Sequence, residues 1–228
     1  DIKPFHVEQN FDVIIIGAGH AGCEAALAAA RLGCRTLLTT LNNDRVGYMS
    51  CNPAIGGLAK GQLVKEIDAL GGEMGINTDK SGIQFKKLNS SRGPAVRSSR
   101  AQCDKYVYAA NMKEVVESTP NLTLMQREID SILVKDHRVI GVRTNWGEEI
   151  FSPTVVITTG TFLGGLMHVG FQNQVGGRAG DAASVGLSNW LSKYGFRMQR
   201  LKTGTPPRLE RRSIDFSQMS PQGGDTPP

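Results

Sequence analysis

Near its start the chain carries a run that leaves few folds open to it. Phe11-Asp12-Val13-Ile14-Ile15-Ile16 is largely β-branched and stops on Gly17. A short apolar run without polar alternation reads as a strand buried on both faces, the kind found in parallel sheets. Ala21 to Leu32 follows as an alanine-rich stretch of high helix propensity, with Gly33 placed to end it. Thr36-Leu37-Leu38-Thr39 is a second strand. Strand, glycine turn, helix and strand in this order make a βαβ unit with a right-handed crossover.

The turn inside that unit is Gly17-Ala18-Gly19-His20-Ala21-Gly22. In a dinucleotide site the first glycine permits a tight turn and the second lets backbone approach a pyrophosphate. The third lets the helix pack closely on the sheet. The helix start adds unpaired N–H groups and the positive end of its dipole. These six residues are the candidate pyrophosphate cradle; a glycine turn in an α/β core without a ligand is the alternative. The acid that usually binds the ribose about 20 residues further on is missing. Here the second strand runs into Thr39-Thr40-Leu41-Asn42, and the first acid is Asp44. Thr40 or Asn42 takes that role, or the loop brings Asp44 to it. The gap, with no evident hydride-transfer histidine, counts against a plain NAD dehydrogenase.

Residues 42–60 form a glycine- and asparagine-rich loop centred on Cys51-Asn52-Pro53-Ala54-Ile55-Gly56-Gly57. Gly61 to Leu70 reads as a helix stopped by Gly71-Gly72, residues 80–98 as an ordered loop with short extended pieces, and Arg100 to Glu117 as a helix. Leu122 to Gln126, Ile129 to Val134, Val139 to Thr144 and Glu149 to Phe151 read as strands, with turns at Asp136-His137 and Asn145-Trp146-Gly147. Val155 to Thr158 returns to the buried-strand pattern, and Ala182 to Tyr194 is a last helix. The expected fold class is α/β, a Rossmann-like domain with a mainly parallel sheet and a small antiparallel β appendage. Residues 1–10 are a lead-in arm, 11–216 the domain, and 217–228 a loop or the start of a missing insertion.

Net charge is +5, and it is segregated. Residues 80–105 carry seven Lys/Arg against Asp104 alone, and residues 197–212 carry six against Glu210 alone. Such patches suit an anionic partner, or are a solvated surface. In the first patch Lys86, Arg92, Arg97 and Arg100 are placed to grip phosphates. Only Phe85 lies near them, so base stacking has no support. Cysteines at 23, 34, 51 and 103 and histidines at 6, 20, 137 and 168 show no metal-ligand spacing, so no metal site is expected. The cysteines make no disulfide framework, which favours a reducing, intracellular compartment. No run reaches the ~18 apolar residues of a membrane span. Cys51, in a loop held by proline and paired glycines before a helix, is either a nucleophile activated by the helix dipole or a small residue filling a gap. Cys23 and Cys34 read as core. Val175-Gly176-Gly177-Arg178-Ala179-Gly180-Asp181 is a second glycine loop leading into the last helix, which either presents N–H groups to a second part of a ligand or simply has Asp181 as its N-cap.

Several blocks, taken in order, are more specific than the nucleotide motif. FDVIIIGAGHAGCEAALAAARLG, MSCNPAIGGLAKGQLVKEIDALGGEMG, SSRGPAVRSSRAQCDK, TTGTFLGG, GGRAGD and RLKTGTPPR succeed one another between Phe11 and about Phe216. In this order they resemble the GidA or MnmG family of flavoenzymes that modify the wobble uridine of tRNA. The resemblance implies a glutathione-reductase-like fold and an FAD-dependent enzyme. It implies a GTPase partner, MnmE, with which a (carboxymethyl)aminomethyl group is placed at C5 of that uridine. Methylenetetrahydrofolate, glycine or ammonium, and NADH are the implied inputs, tRNA the substrate, and a homodimer in the cytoplasm (or a mitochondrial matrix) the implied setting. Gly17 to Gly22 then cradle the FAD pyrophosphate, Ile129 matches a position whose backbone meets the adenine, and Ser184 matches another flavin contact. Cys51 matches a cysteine put forward as catalytic, although a noncovalent route is equally drawable. Family members are longer, so the resemblance covers an N-terminal part that is incomplete for catalysis. Two rivals remain, a folate- and FAD-dependent tRNA uridine methyltransferase and a non-catalytic nucleotide-fold module that binds tRNA or a partner. The methyltransferase is not expected to carry SCNPAIGG followed by GPAVR.

Overall fold

The computed structural model describes residues 10–227. Of the expected N-terminal arm only Asn10 falls among them, in a single bridge to Phe151. The chain runs β1 (Val13–Ile16), α1 (His20–Arg31), β2 (Thr36–Thr40), β3 (Ala54–Gly56), α2 (Gly61–Ala69), α3 (Met74–Ser81), β4 (Gly82–Leu88) and β5 (Ser98–Cys103). Then come α4 (Lys105–Ser118), β6 (Leu122–Gln126), β7 (Ile129–Lys135), β8 (Arg138–Thr144) and β9 (Glu149–Phe151). β10 (Val155–Ile157), the hairpin β11 (Leu166–Val169) and β12 (Gln172–Val175), and α5 (Gly186–Lys193) complete it. The chain divides into two compact units, one of residues up to 47 with 112–199, the other of 48–111 with residues from 200 onward.

The first unit is built on a parallel sheet in the order β10-β1-β2-β6. Ile14, Ile15 and Ile16 and residues 36–39 are all buried, which is why neither strand shows polar alternation. The buried Thr39 hydroxyl donates to the carbonyl of Ile15 at 3.2 Å and that of Thr36 to Cys34 at 3.0 Å, so the sheet carries two threonines without orphaned donors. Helix α1 buries Gly22, Cys23, Ala26, Leu27 and Ala30, a single stripe at helical spacing. It ends at Gly33, whose φ of +89° suits glycine, while the amides of Gly33 and Cys34 bond back to Ala30 and Ala29. An antiparallel sheet, β7-β8-β9, is inserted between β6 and β10 and shares a core with β1, β2 and α5 through Ile14, Ile16, Leu37, Ile129, Ile132, Val142, Ile150, Leu187 and Leu191. Strand β1 has β2 on one side and β10 on the other, so the strand order reverses at β1. Ligands of open α/β sheets lie beyond the carboxyl ends of the strands at such a reversal.

The second unit departs from the sequence reading. Residues 80–98 are not mainly loop, because β4 occupies Gly82–Leu88 and pairs with β5 in an antiparallel sheet ordered β3-β5-β4. The helix expected from Arg100 starts only at Lys105, since Ser98–Cys103 is the central strand of that sheet. Ser-rich sequence is neutral between loop and strand, and pairing on both edges decided it. Asp104 is the signal that was overlooked: its Oδ1 accepts from the amides of Tyr106 and Val107 at 2.9 and 3.2 Å, an N-cap. In the first unit, α5 likewise starts at Gly186 rather than Ala182, and the β11–β12 hairpin was not foreseen.

Candidate functional site

The glycine turn lies at the carboxyl end of β1, where the strand order reverses. Gly17 has φ +104°, and a Cβ there would come within 2.7 Å of the carbonyl oxygen of Thr158. A Cβ on Gly22 would overlap the carbonyl oxygen of Gly17 and reach 2.8 Å from Thr158 Oγ1. These two glycines are fixed by packing. Gly19 differs, for a Cβ there would meet nothing within 4 Å. It is the N-cap of α1, in extended backbone, with no side-chain cap and no acid in the first helical turn. The first-turn amides have no partner inside the helix. Open space in front of a helix start whose first-turn amides make no intrahelical bond, at the positive end of the dipole, is what an anionic diphosphate requires, and these residues fit that group.

Around the turn, Ala18 is buried and its carbonyl accepts from the Gly47 amide at 2.9 Å, while Gly19 and Ala21 are exposed. Burial holds the His20 imidazole below its ordinary range, so the ring at the helix start is biased toward its neutral form. Thr158 was missed as a positioning residue, although TTGTFLGG contains it. Its amide and hydroxyl both donate toward the Ile16 carbonyl, each at 2.9 Å, and the hydroxyl also lies 2.9 Å from the Gly17 carbonyl. It ties β10 to the turn.

At the end of β2 the candidates for the ribose hydroxyls are engaged within the protein. Thr40 Oγ1 donates to the Asn42 carbonyl at 3.3 Å, Asn42 Oδ1 accepts from the Asp44 amide at 2.8 Å, and Asp44 pairs with Lys113 at 3.0 Å. The side-chain oxygen of Asn43 is instead buried without a hydrogen-bond partner, an acceptor no sequence signal marked. Ile129 is buried at the first position of β7, and Ser184 is buried with its amide and carbonyl paired to Phe162 and Gly164, each at 2.8 Å. Both lie in the same unit as the glycine turn. Asp181 does not cap α5; it is ion-paired to Arg178, four residues separate it from the helix, and Val185 is the N-cap.

Cys51, Lys86, Arg92, Arg97 and Arg100 belong to the second unit. Cys51 is half-buried, and its Sγ–H donates to the Gly204 carbonyl at 3.0 Å. Arg208 donates from Nη2 to the Cys51 carbonyl at 2.7 Å and from Nη1 to the Pro206 carbonyl at 3.1 Å. The RLKTGTPPR segment thus grips the cysteine loop, a contact between blocks about 150 residues apart. Strand β3 intervenes between Cys51 and α2, so the loop does not lead directly into that helix. Burial pushes the Cys23 thiol up to about 12 and raises Cys103 as well, which leaves both poor nucleophiles. Lys86 is on β4, Arg100 on β5, and Arg92 and Arg97 on the turn between them, where Arg97 Nε donates to the Arg92 carbonyl at 2.8 Å. No helix among the described residues is long and apolar enough to cross a membrane.

Known proteins are similar to this chain along nearly its whole length. A tRNA uridine 5-carboxymethylaminomethyl modification enzyme MnmG of Geobacter metallireducens is 60% identical over 221 residues, and its counterpart in Geobacter sulfurreducens 61%. Each alignment covers 97% of this chain and 35% of the relative, so the chain spans about a third of the length of the curated relatives it matches. Aquifex aeolicus GidA superposes with a TM-score of 0.91 at 53% identity, over 97% of this chain and 36% of that one. A GidA-related protein from Thermus thermophilus gives 0.61 at 26% identity, over 82% of this chain and 69% of that one. The family described as glucose inhibited division protein A matches residues 12–228. With the match running from the first parallel strand through the cysteine-gripping segment to the last residue, this chain belongs to the GidA family.

Proposed function

We propose that this chain is the flavin-nucleotide-binding part of an enzyme that modifies C5 of the wobble uridine in certain tRNAs, installing a (carboxymethyl)aminomethyl group together with the GTPase MnmE. The observation that carries this reading is the open corner over Gly19, in a chain 60% identical to enzymes named for that modification. The amides at the start of α1 bind the FAD diphosphate, Gly17 and Gly22 keep strand and helix close enough to aim them, and Thr158 holds the turn. Ile129 and Ser184 contribute further contacts to the nucleotide. When bound, FAD supplies two-electron redox chemistry, with NADH as reductant and methylenetetrahydrofolate as the one-carbon donor.

Cys51 has a defined task in this scheme. Uracil C5 is a poor nucleophile until a group adds at C6. The Cys51 thiol first leaves Gly204, then forms a sulfur–C6 bond while its proton is lost and the C5–C6 π pair moves toward C5 and O4. After C5 attacks the one-carbon electrophile, loss of the C5 proton expels the cysteine sulfur and restores the ring. Lys86, Arg92, Arg97 and Arg100 hold RNA phosphates, and the protein works as a homodimer. The test is nucleoside analysis of tRNA from cells lacking the gene. The wobble uridines are expected to lose the C5 substituent, and unchanged nucleosides would overturn this reading.

A further inference from the structure

One pair of charges in the second unit is placed against electrostatic preference. Lys86 on β4 and Arg100 on β5 are direct register partners. Partners directly opposite in an antiparallel pair have Cβ atoms about 5 Å apart on one face, and like charges in that position destabilise the sheet. Both side chains are half-buried, which reduces screening by water. Among the described residues neither forms an ion pair. Lys86 Nζ donates to the Gly223 carbonyl at 3.2 Å, and Arg100 Nη2 lies 3.0 Å from the Gln102 side-chain amide, which accepts from it with its oxygen turned toward the guanidinium. Neutral acceptors solvate the two cations and leave their repulsion in place.

Both residues line a cavity of about 300 Å³ between α2, α3 and the sheet. Its apolar wall includes Ile55, Val64, Phe85 and Ala101, and Lys65 and Lys87 also border it. The acids on its wall are Asp68, Asp79 and Asp225. Asp225 is committed elsewhere, with one carboxylate oxygen accepting from the Lys87 amide at 2.7 Å. Asp68 lies against α3, where a Cβ on Gly75 would come 2.6 Å from its Oδ1.

We propose that Lys86 and Arg100 form a subsite for one phosphate group, entered through this cavity, and that the occupant is a phosphodiester of the RNA strand. A single tetrahedral anion between the two heads turns the repulsion into two charge-assisted contacts, the guanidinium bidentate and the ammonium as a point charge. The subsite stands on the geometry; its assignment to RNA rests on the proposed function. It separates these two residues from Arg92 and Arg97, which sit on the exposed turn.

The test has two arms, run on the purified protein as wild type, Lys86→Met, Arg100→Lys, the double variant Lys86→Met/Arg100→Met, and Lys135→Met as a control. In the first arm, with FAD saturating so that the glycine turn is filled, melting temperature is followed with inorganic phosphate against chloride at matched ionic strength. Phosphate is expected to stabilise wild type, Arg100→Lys and the control, but not Lys86→Met or the double variant. Without phosphate, Lys86→Met is expected to melt higher than wild type. In the second arm, affinity for substrate tRNA is measured against salt. The double variant is expected to bind about tenfold more weakly at low salt, with the slope of log K against log salt reduced by about 1, one phosphate contact. A phosphate response equal in wild type and Lys86→Met refutes the subsite. A response confined to wild type, Arg100→Lys and the control, with an unchanged RNA slope, supports the subsite and refutes its assignment to RNA. Unchanged tRNA nucleosides in cells lacking the gene would overturn the proposed function and leave the first arm standing.

Discussion

Replacing Gly19 by alanine separates binding from folding at the glycine turn. Its backbone, φ −76° and ψ −171°, is open to alanine, and the added methyl would meet no protein atom within 4 Å. Alanine is a poor N-cap, so the stability cost is at most about 1 kcal/mol. The same methyl stands where the diphosphate must approach the first-turn amides. A hydrogen bond to a charged group contributes about 1.5–3 kcal/mol, so losing two costs about 3–6 kcal/mol, or roughly two to four powers of ten in affinity. Gly22→Ala is the counterpart, because its methyl would overlap the Gly17 carbonyl oxygen and crowd Thr158. Overpacking of backbone against backbone costs about 1–3 kcal/mol, and in a chain of this size each kcal/mol lowers the melting temperature by about 2–4 °C. The assay pairs thermal unfolding with FAD titration followed by flavin fluorescence quenching. Gly19→Ala is expected to melt near wild type and bind FAD weakly, whereas Gly22→Ala melts lower. A folded Gly19→Ala protein with wild-type FAD affinity would show that no diphosphate sits at this corner.

Two further perturbations test other groups. Arg208→Met removes the donors to the Cys51 and Pro206 carbonyls, and is expected to raise the iodoacetamide alkylation rate of Cys51 several-fold, measured by peptide mass spectrometry; an unchanged rate would mean that the segment does not hold the loop. His20 gives a pH dependence: burial lowers its folded-state pKa from 6.5, so below that value the unfolded chain binds more protons than the folded one. Its contribution to stability is whole above pH 6.5 and is lost as pH falls toward the depressed folded value. Urea unfolding of wild type and His20→Asn at pH 7.5 and 5.5, about one unit either side of that value, is expected to show a smaller acid loss in the variant, and equal losses would rule out His20 as the source.

How much was legible depended on how local the determining interaction is. The parallel strands β1 and β2 and helix α1 were readable because burial on both faces removes polar alternation and because alanine and glycine mark where a helix runs and stops, while the half-buried β6 and β10 were readable from their apolar residues. The turns at Asp136-His137 and Asn145-Trp146-Gly147 were readable for a similar reason, since residues 136, 137 and 147 all take positive φ. β4 and β5 were not. Ser98-Ser99-Arg100 has no strand preference of its own, and it becomes the centre of a sheet only because β3 and β4 pair on both sides of it.

The same division runs through the candidate site. Sequence alone marked the glycine turn, since the positive φ of Gly17 and the overlap of a Gly22 Cβ with the Gly17 carbonyl both arise within a few residues, whereas Gly19 has no such cause within the chain. Tertiary structure decided that the turn lies where the strand order reverses, that Thr158 ties it to β10, and that Gly204 and Arg208 hold Cys51 from about 150 positions away. It also set Lys86 opposite Arg100. Hydrogen-bond reach and Coulomb repulsion act through space, and spacing along the chain carries no trace of them until the backbone has closed its long loops.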